Sequence, residues 1–130
     1  MRNVSGEAAA AIDEVGAADA LARTHETERE AELSAARSRL DASRVRVTQA
    51  EVGIKAVDLD LKAVDTTGDL AAKERLAVER SRAEQRRRWR IEQRSEARQN
   101  VVLAQKRLTE ARTETRLAEV RTAQYVSPRS

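Results

Sequence analysis

The 130-residue sequence predicts an all-α protein: a long antiparallel two-helix coiled-coil hairpin, standing alone or within a larger helical bundle. Three observations predict it. Charged residues make up 36% of the chain and aromatics 2%, with no Phe, so Ala, Leu and Val must supply the buried surface that aromatics supply in a compact globule. Ala, Arg, Glu and Leu favour helix, and one Pro and four Gly leave little to interrupt one. Finally, apolar and small residues recur every seven positions on both sides of a single mid-chain break. High charge with few aromatics also marks unfolded chains, but that apolar spacing argues against disorder.

The chain reads as one hairpin domain over residues 1–130. Its first helix runs from about Gly6 to Asp65, and at about 1.5 Å per residue it would be roughly 80 Å long. Leu33, Leu40, Val47, Ile54 and Leu61 stand seven apart, and Ala36, Ser43, Ala50, Val57 and Val64 form a second series three residues on. Together they make one stripe, the seam of a left-handed coiled coil. The same phase runs back through Ala22, Val15, Ile12 and Ala8, with Asp19, Glu26 and Arg29 as interruptions. "RVRV" and "VDLDL" alternate as a half-buried strand would, so a β-hairpin over 44–62 competes with the helix. The helix is preferred because the heptad phase passes through without a slip.

The break is "VDTTGDL", residues 64–70, with the turn at about 66–68. Gly68 suits a positive φ, Thr66 or Asp69 suits a helix cap, and the two have capping-box spacing. The second helix spans about Asp69 to Gln124, and Pro128 among serines marks a frayed tail over 125–130. Its seam carries Leu76, Ala83, Arg90, Ala97, Ala104, Ala111 and Ala118 in one series. Lys73, Arg80, Arg87, Arg94, Val101, Leu108, Thr115 and Thr122 form the other. Alanine at most of the first series lets large residues of the first helix sit over it. An antiparallel register puts Leu33 over Ala104, Leu40 over Ala97 and Ile54 over Ala83, and Leu61 meets Leu76. Charge agrees with this orientation: residues 7–32 carry a net −6 and residues 102–127 a net +2. Exposed pairs favour orientation more than stability.

Residues 80–98 hold eight Arg against Glu84, Glu92 and Glu96. Arg82, Arg86, Arg90, Arg94 and Arg98 step by four and so wind around the helix. Arg80, Arg87, Arg90 and Arg94 fall on the seam opposite Val57, Ala50, Val47 and Ser43, so the middle should not close as a dry core. The first helix would then keep an uncovered apolar stripe from 33 to 64. It also carries Val45, Val52 and Leu59 seven apart on its far side, which asks for another chain. The expected partner-binding residues are therefore Arg86, Arg87, Trp89, Arg90, Arg94, Val45, Val52 and Leu59.

No enzyme constellation appears, and the protein reads as non-enzymatic, with no cofactor. The only His, His25, has Glu28 and Glu32 nearby on a helix, a weaker reading as a metal site than as a solvated acidic face. H-E-x-x-H, Gly-rich phosphate loops and G-x-S-x-G are absent, and there is no Cys. The first twenty residues place acids within their apolar stretch, unlike a secretory signal, and no run approaches the ~20 apolar residues of a membrane span. A cytoplasmic protein is expected. Its partner is another protein chain, a different one or a second copy. The alternative is a polyanion or nucleic-acid-binding helical protein, such as a virion component, using 80–98. One Trp is too few for a stacking platform, and a net charge of +3 is small for a dedicated nucleic-acid binder.

Two long charged helices around a mid-chain break, with "ERSRAEQRRRWRIEQRSEARQ" in the second, resemble the export-stalk proteins of flagellar and type III secretion systems, the FliJ/YscO type. The opening residues depart from the apolar and basic opening of the flagellar members. The resemblance implies a coiled-coil rod in the centre of an ATPase ring, touching an export gate. Arg86, Arg87, Arg90 and Arg94 would then contact acidic ring surfaces.

Overall fold

A computed structural model describes the backbone of residues 2–126 and the side chains of residues 6–124. It contains two α-helices packed against each other, α1 (Arg2–Asp65) and α2 (Leu70–Val126). The all-α hairpin is therefore the fold. No strand occurs among the described residues, and 44–62 lies wholly within α1. The last residues of the expected tail, 127–130, lie outside the described residues.

Between the helices, Gly68 takes φ +71°, and its N–H donates to the Val64 carbonyl at 3.2 Å. That bond closes α1 in the left-handed glycine manner. The start of α2 corrects one expectation. Asp69 alone caps it: the Asp69 carboxylate accepts the Ala72 N–H at 3.1 Å, and the Asp69 carbonyl accepts the Lys73 N–H at 3.0 Å. Thr66 takes no part, because its hydroxyl donates backwards to the Ala63 carbonyl at 2.7 Å, so no capping box forms. Thr66 is the first residue past the end of α1, and its side chain is used to satisfy a carbonyl of that helix end.

Contacts group the chain into two compact units, Met1–Ala35 with Val102–Ser130, and Ala36–Val101. In the first unit Ala22 and Leu33 of α1 bury with Ala104, Leu108, Ala111, Thr115 and Ala118 of α2. The Thr115 hydroxyl lies 3.1 Å from the Ala111 carbonyl and 3.4 Å from the Ala22 carbonyl, so the buried hydroxyl is satisfied. The residues that interrupt the seam find charged partners. Asp19 meets Arg23 at 3.2 Å, Glu26 meets Arg112 at 3.6 Å, and Arg29 meets Glu32 at 2.7 Å. Val15 is half-buried, whereas Ile12 and Ala8, expected on the seam, are exposed. The expected register puts the residues facing those two beyond the described side chains.

In the second unit Ala36, Leu40, Ser43 and Val47 of α1 are buried with Leu76, Ala83 and Ala97 of α2. Past Val47 the seam loosens, and Ala50, Ile54, Val57, Leu61 and Val64 are half-buried, as is Val101 of α2. Cross-helix ion pairs Lys73–Asp65 (2.9 Å), Arg80–Asp58 (2.5 Å) and Arg87–Glu51 (3.7 Å) flank this stretch, each one residue off the expected seam pairing.

The expectation that arginines leave the α1 stripe uncovered needs correction. Val47, opposite Arg90, is only 3% exposed, and Ser43, opposite Arg94, is buried too. An arginine carries three methylenes before its charge, and those stems cover apolar surface while the head turns aside. The stripe is thus covered as far as Val47 and half-covered beyond it.

Candidate functional site

The chemistry of this chain is concentrated in the Ala36–Val101 unit, and the structure sorts its arginines by what each head group meets. Arg80 is held by Asp58 and by Glu84 one turn on, and these two carboxylates raise its pKa above the ordinary arginine value, Asp58 foremost. Arg87 faces Glu51 at 3.7 Å. A shallow groove lined by Glu51, Ile54, Lys55, Arg80, Glu84 and Arg87 lies along this flank, and its charges largely cancel.

Arg90 behaves differently. Its guanidinium carbon sits 4.5 Å from the centre of the Trp89 ring, a cation–π contact that leaves the Trp 49% exposed. Arg94 is half-buried, and its Nε is buried without a hydrogen-bond partner. Arg86 is exposed, and no ion pair involves it among the described residues.

A second groove is lined by Arg46, Gln49, Gly53, Ala83, Arg86 and Arg90. Next to it, Arg39 and Arg46 share a further hollow with Gln93, Glu96 and Asn100. Four guanidiniums from both helices thus converge on one flank of this unit against the single carboxylate of Glu96. Arg39 and Arg46 were not among the residues expected from the sequence. Their seven-residue spacing, one position before Leu40 and Val47, was the available signal. The density of arginines in 80–98 points to α2 alone.

On the opposite side of α1, Val45, Val52 and Leu59 are 56%, 59% and 65% exposed, so the expected column is present and uncovered. The seam residues Leu33, Leu40, Val47, Leu76, Ala97, Ala104 and Leu108 are buried, and Ile54, Leu61 and Val101 half-buried. In the other unit His25 lies 3.5 Å from Glu114, while Glu32 is taken by Arg29, so His25, Glu28 and Glu32 do not converge. No group of three or more His, Cys, Asp or Glu able to hold a metal occurs among the described residues. Among those residues no helix is long and apolar enough to cross a membrane.

Comparison with protein-family models, curated proteins and solved structures finds no match in any of the three. Fold and site together define a class: an all-α helical hairpin with a basic groove and an uncovered apolar column in one unit.

Proposed function

We propose that the protein is a non-enzymatic structural or adaptor rod in a larger assembly, acting in the cytoplasm through surface complementarity with another protein chain. One observation carries this reading. Val45, Val52 and Leu59 form an exposed apolar column on α1 although the seam of the same helix is already occupied by α2. A helix that buries one stripe and displays a second is built to pack on two sides. A photo-crosslinking amino acid at Val52 tests it in the native cell. A discrete protein adduct, lost when Val45 and Leu59 become Glu while helicity is kept, supports the rod. Absence of any protein adduct there counts against it. The finer proposal, an export-stalk component of type III secretion, rests on the resemblance in architecture and predicts an adduct with an ATPase ring subunit.

The second reading is a polyanion binder, favoured by the convergence of Arg39, Arg46, Arg86 and Arg90. It ranks below the first because Arg90 already lies over the sole Trp, and stacking platforms for bases use several free aromatic faces. Nucleic-acid affinity that falls steeply with salt would favour it.

A further inference from the structure

The groove on the Ala36–Val101 unit has an excess of charge that its own unit does not cancel. The unit holds sixteen Lys and Arg against eleven Asp and Glu, a net of +5. Its paired bases are spread elsewhere: Arg80 on Asp58 and Glu84, Arg87 on Glu51, Lys73 on Asp65, Arg44 on Asp41. Arg39, Arg46, Arg82 and Arg86 enter no ion pair among the described residues, and all four are exposed. Arg46 and Arg86 line the groove and Arg39 the adjoining hollow, and small residues, Ala83 and Gly53, line the groove with them, so another helix can approach closely. Trp89 stands seven residues after Arg82 on the same column of α2.

The other unit shows the opposite excess. Residues 7–32 of α1 carry eight acids against two bases. Asp19, Glu26 and Glu32 are ion-paired, whereas Glu14, Glu28 and Glu30 are exposed and enter no ion pair among the described residues. Glu14, Leu21 and Glu28 stand seven apart on one column, and Leu21 is a large exposed apolar residue. That column presents carboxylate, leucine and carboxylate at a spacing of about 10 Å per step. The groove presents guanidinium groups on a floor of small residues, and the half-exposed Trp89 lies against the guanidinium of Arg90, one of its lining residues.

We propose that this groove docks the acidic α1 segment, residues 7–32, of a second copy of the chain. Glu14 and Glu28 pair with Arg39, Arg46 and Arg86, and Leu21 packs against the exposed face of Trp89. The proposal rests on the reading of the protein as an assembly rod, and names the partner for a surface distinct from the Val52 column. Charge complementarity selects the occupant, because the chain contains both the uncancelled basic groove and an uncancelled acidic column of helical spacing. Steering by opposite charge makes such an association fast and salt-sensitive.

Trp89, the only Trp, is the natural reporter. Sedimentation velocity and Trp emission are followed over a concentration series of the full chain at about 50 mM and about 500 mM salt. The expected result is concentration-dependent association at low salt, with a blue shift of the emission, both reversed at high salt. A variant with Arg39→Glu, Arg46→Glu and Arg86→Glu, and a second with Glu14→Arg and Glu28→Arg, should each lose association by tenfold or more, about 1.4 kcal/mol. Circular dichroism confirms that each stays helical. Mixed in equal amounts, the two variants should associate again, because each reversed surface then meets its complement. A chain that stays monomeric throughout, or associates equally well with either reversal, overturns the proposal, as does a mixture that fails to recover. If the chain stays monomeric but binds a labelled single-stranded oligonucleotide through Arg39, Arg46 and Arg86, the groove takes a polyanion, and both the docking and the rod reading fail. A monomer that binds no oligonucleotide sinks the docking alone and leaves the rod reading to the Val52 crosslink.

Discussion

Among single residues the arginines show how one side-chain type takes several roles within nineteen positions. Arg80 is satisfied twice, by Asp58 and Glu84, while the Arg94 Nε is buried with no partner. A buried donor without an acceptor costs about 1–3 kcal/mol, whereas the methylene stem of a half-buried arginine contributes packing. Arg94→Met keeps the stem and removes the orphan. It should raise stability by about 1 kcal/mol, read as a higher midpoint in thermal or urea unfolding. Arg80→Met should lower the midpoint, because it strands Asp58 and Glu84. If Arg94→Met is as destabilising as Arg80→Met, the Arg94 head group has a role in the folded chain that its hydrogen bonding does not show. The raised pKa of Arg80 means that its pairs hold below the ordinary arginine value and are lost only as pH climbs above it. The effect of Arg80→Met should therefore be the same in mildly acidic and mildly basic conditions.

Among elements, the heptad series made the helices legible. A seven-residue spacing of Leu, Val and Ala has one physical meaning over many turns, a continuous stripe, and the buried residues of both units fall on it. The turn was legible in place but not in chemistry. Thr66 and Asp69 both read as caps, and only the location of the last α1 hydrogen bond separates them, a choice of two or three residues that patterns do not resolve. Asp69→Ala should therefore cost about 1 kcal/mol and loosen the first turn of α2, whereas Thr66→Ala should cost much less. Amide exchange at Ala72 and Lys73 against an unchanged Leu108 would report it. The groove was the least legible part. Its basic character depends on which arginines find carboxylates, and that is set by side chains from the other helix: Asp58 and Glu51 remove Arg80 and Arg87, and among the described residues no carboxylate forms an ion pair with Arg39, Arg46 or Arg86. Counting charge along 80–98 could not distinguish these fates.

For the whole molecule the decisive quantity is the area left in water. The chain exposes 9872 Å². A compact monomer of 14.5 kDa would expose about 6,900 Å², and its extended chain about 21,000 Å². Folding therefore removes about four-fifths of the surface that a compact protein of this mass removes, and much of what it buries is alanine, which contributes little area per residue. The urea dependence of unfolding scales with that area. The slope for the monomer, measured at low concentration and high salt, should be about four-fifths of the value for a compact domain of equal length. A smaller buried area also means a smaller reserve against chain entropy, so any chain that covers the groove or the Val52 column should shift the unfolding midpoint upward with its concentration. A slope equal to that of a compact domain, with a midpoint independent of concentration and salt, would show that the isolated hairpin buries all it needs, and would remove the thermodynamic reason for a partner.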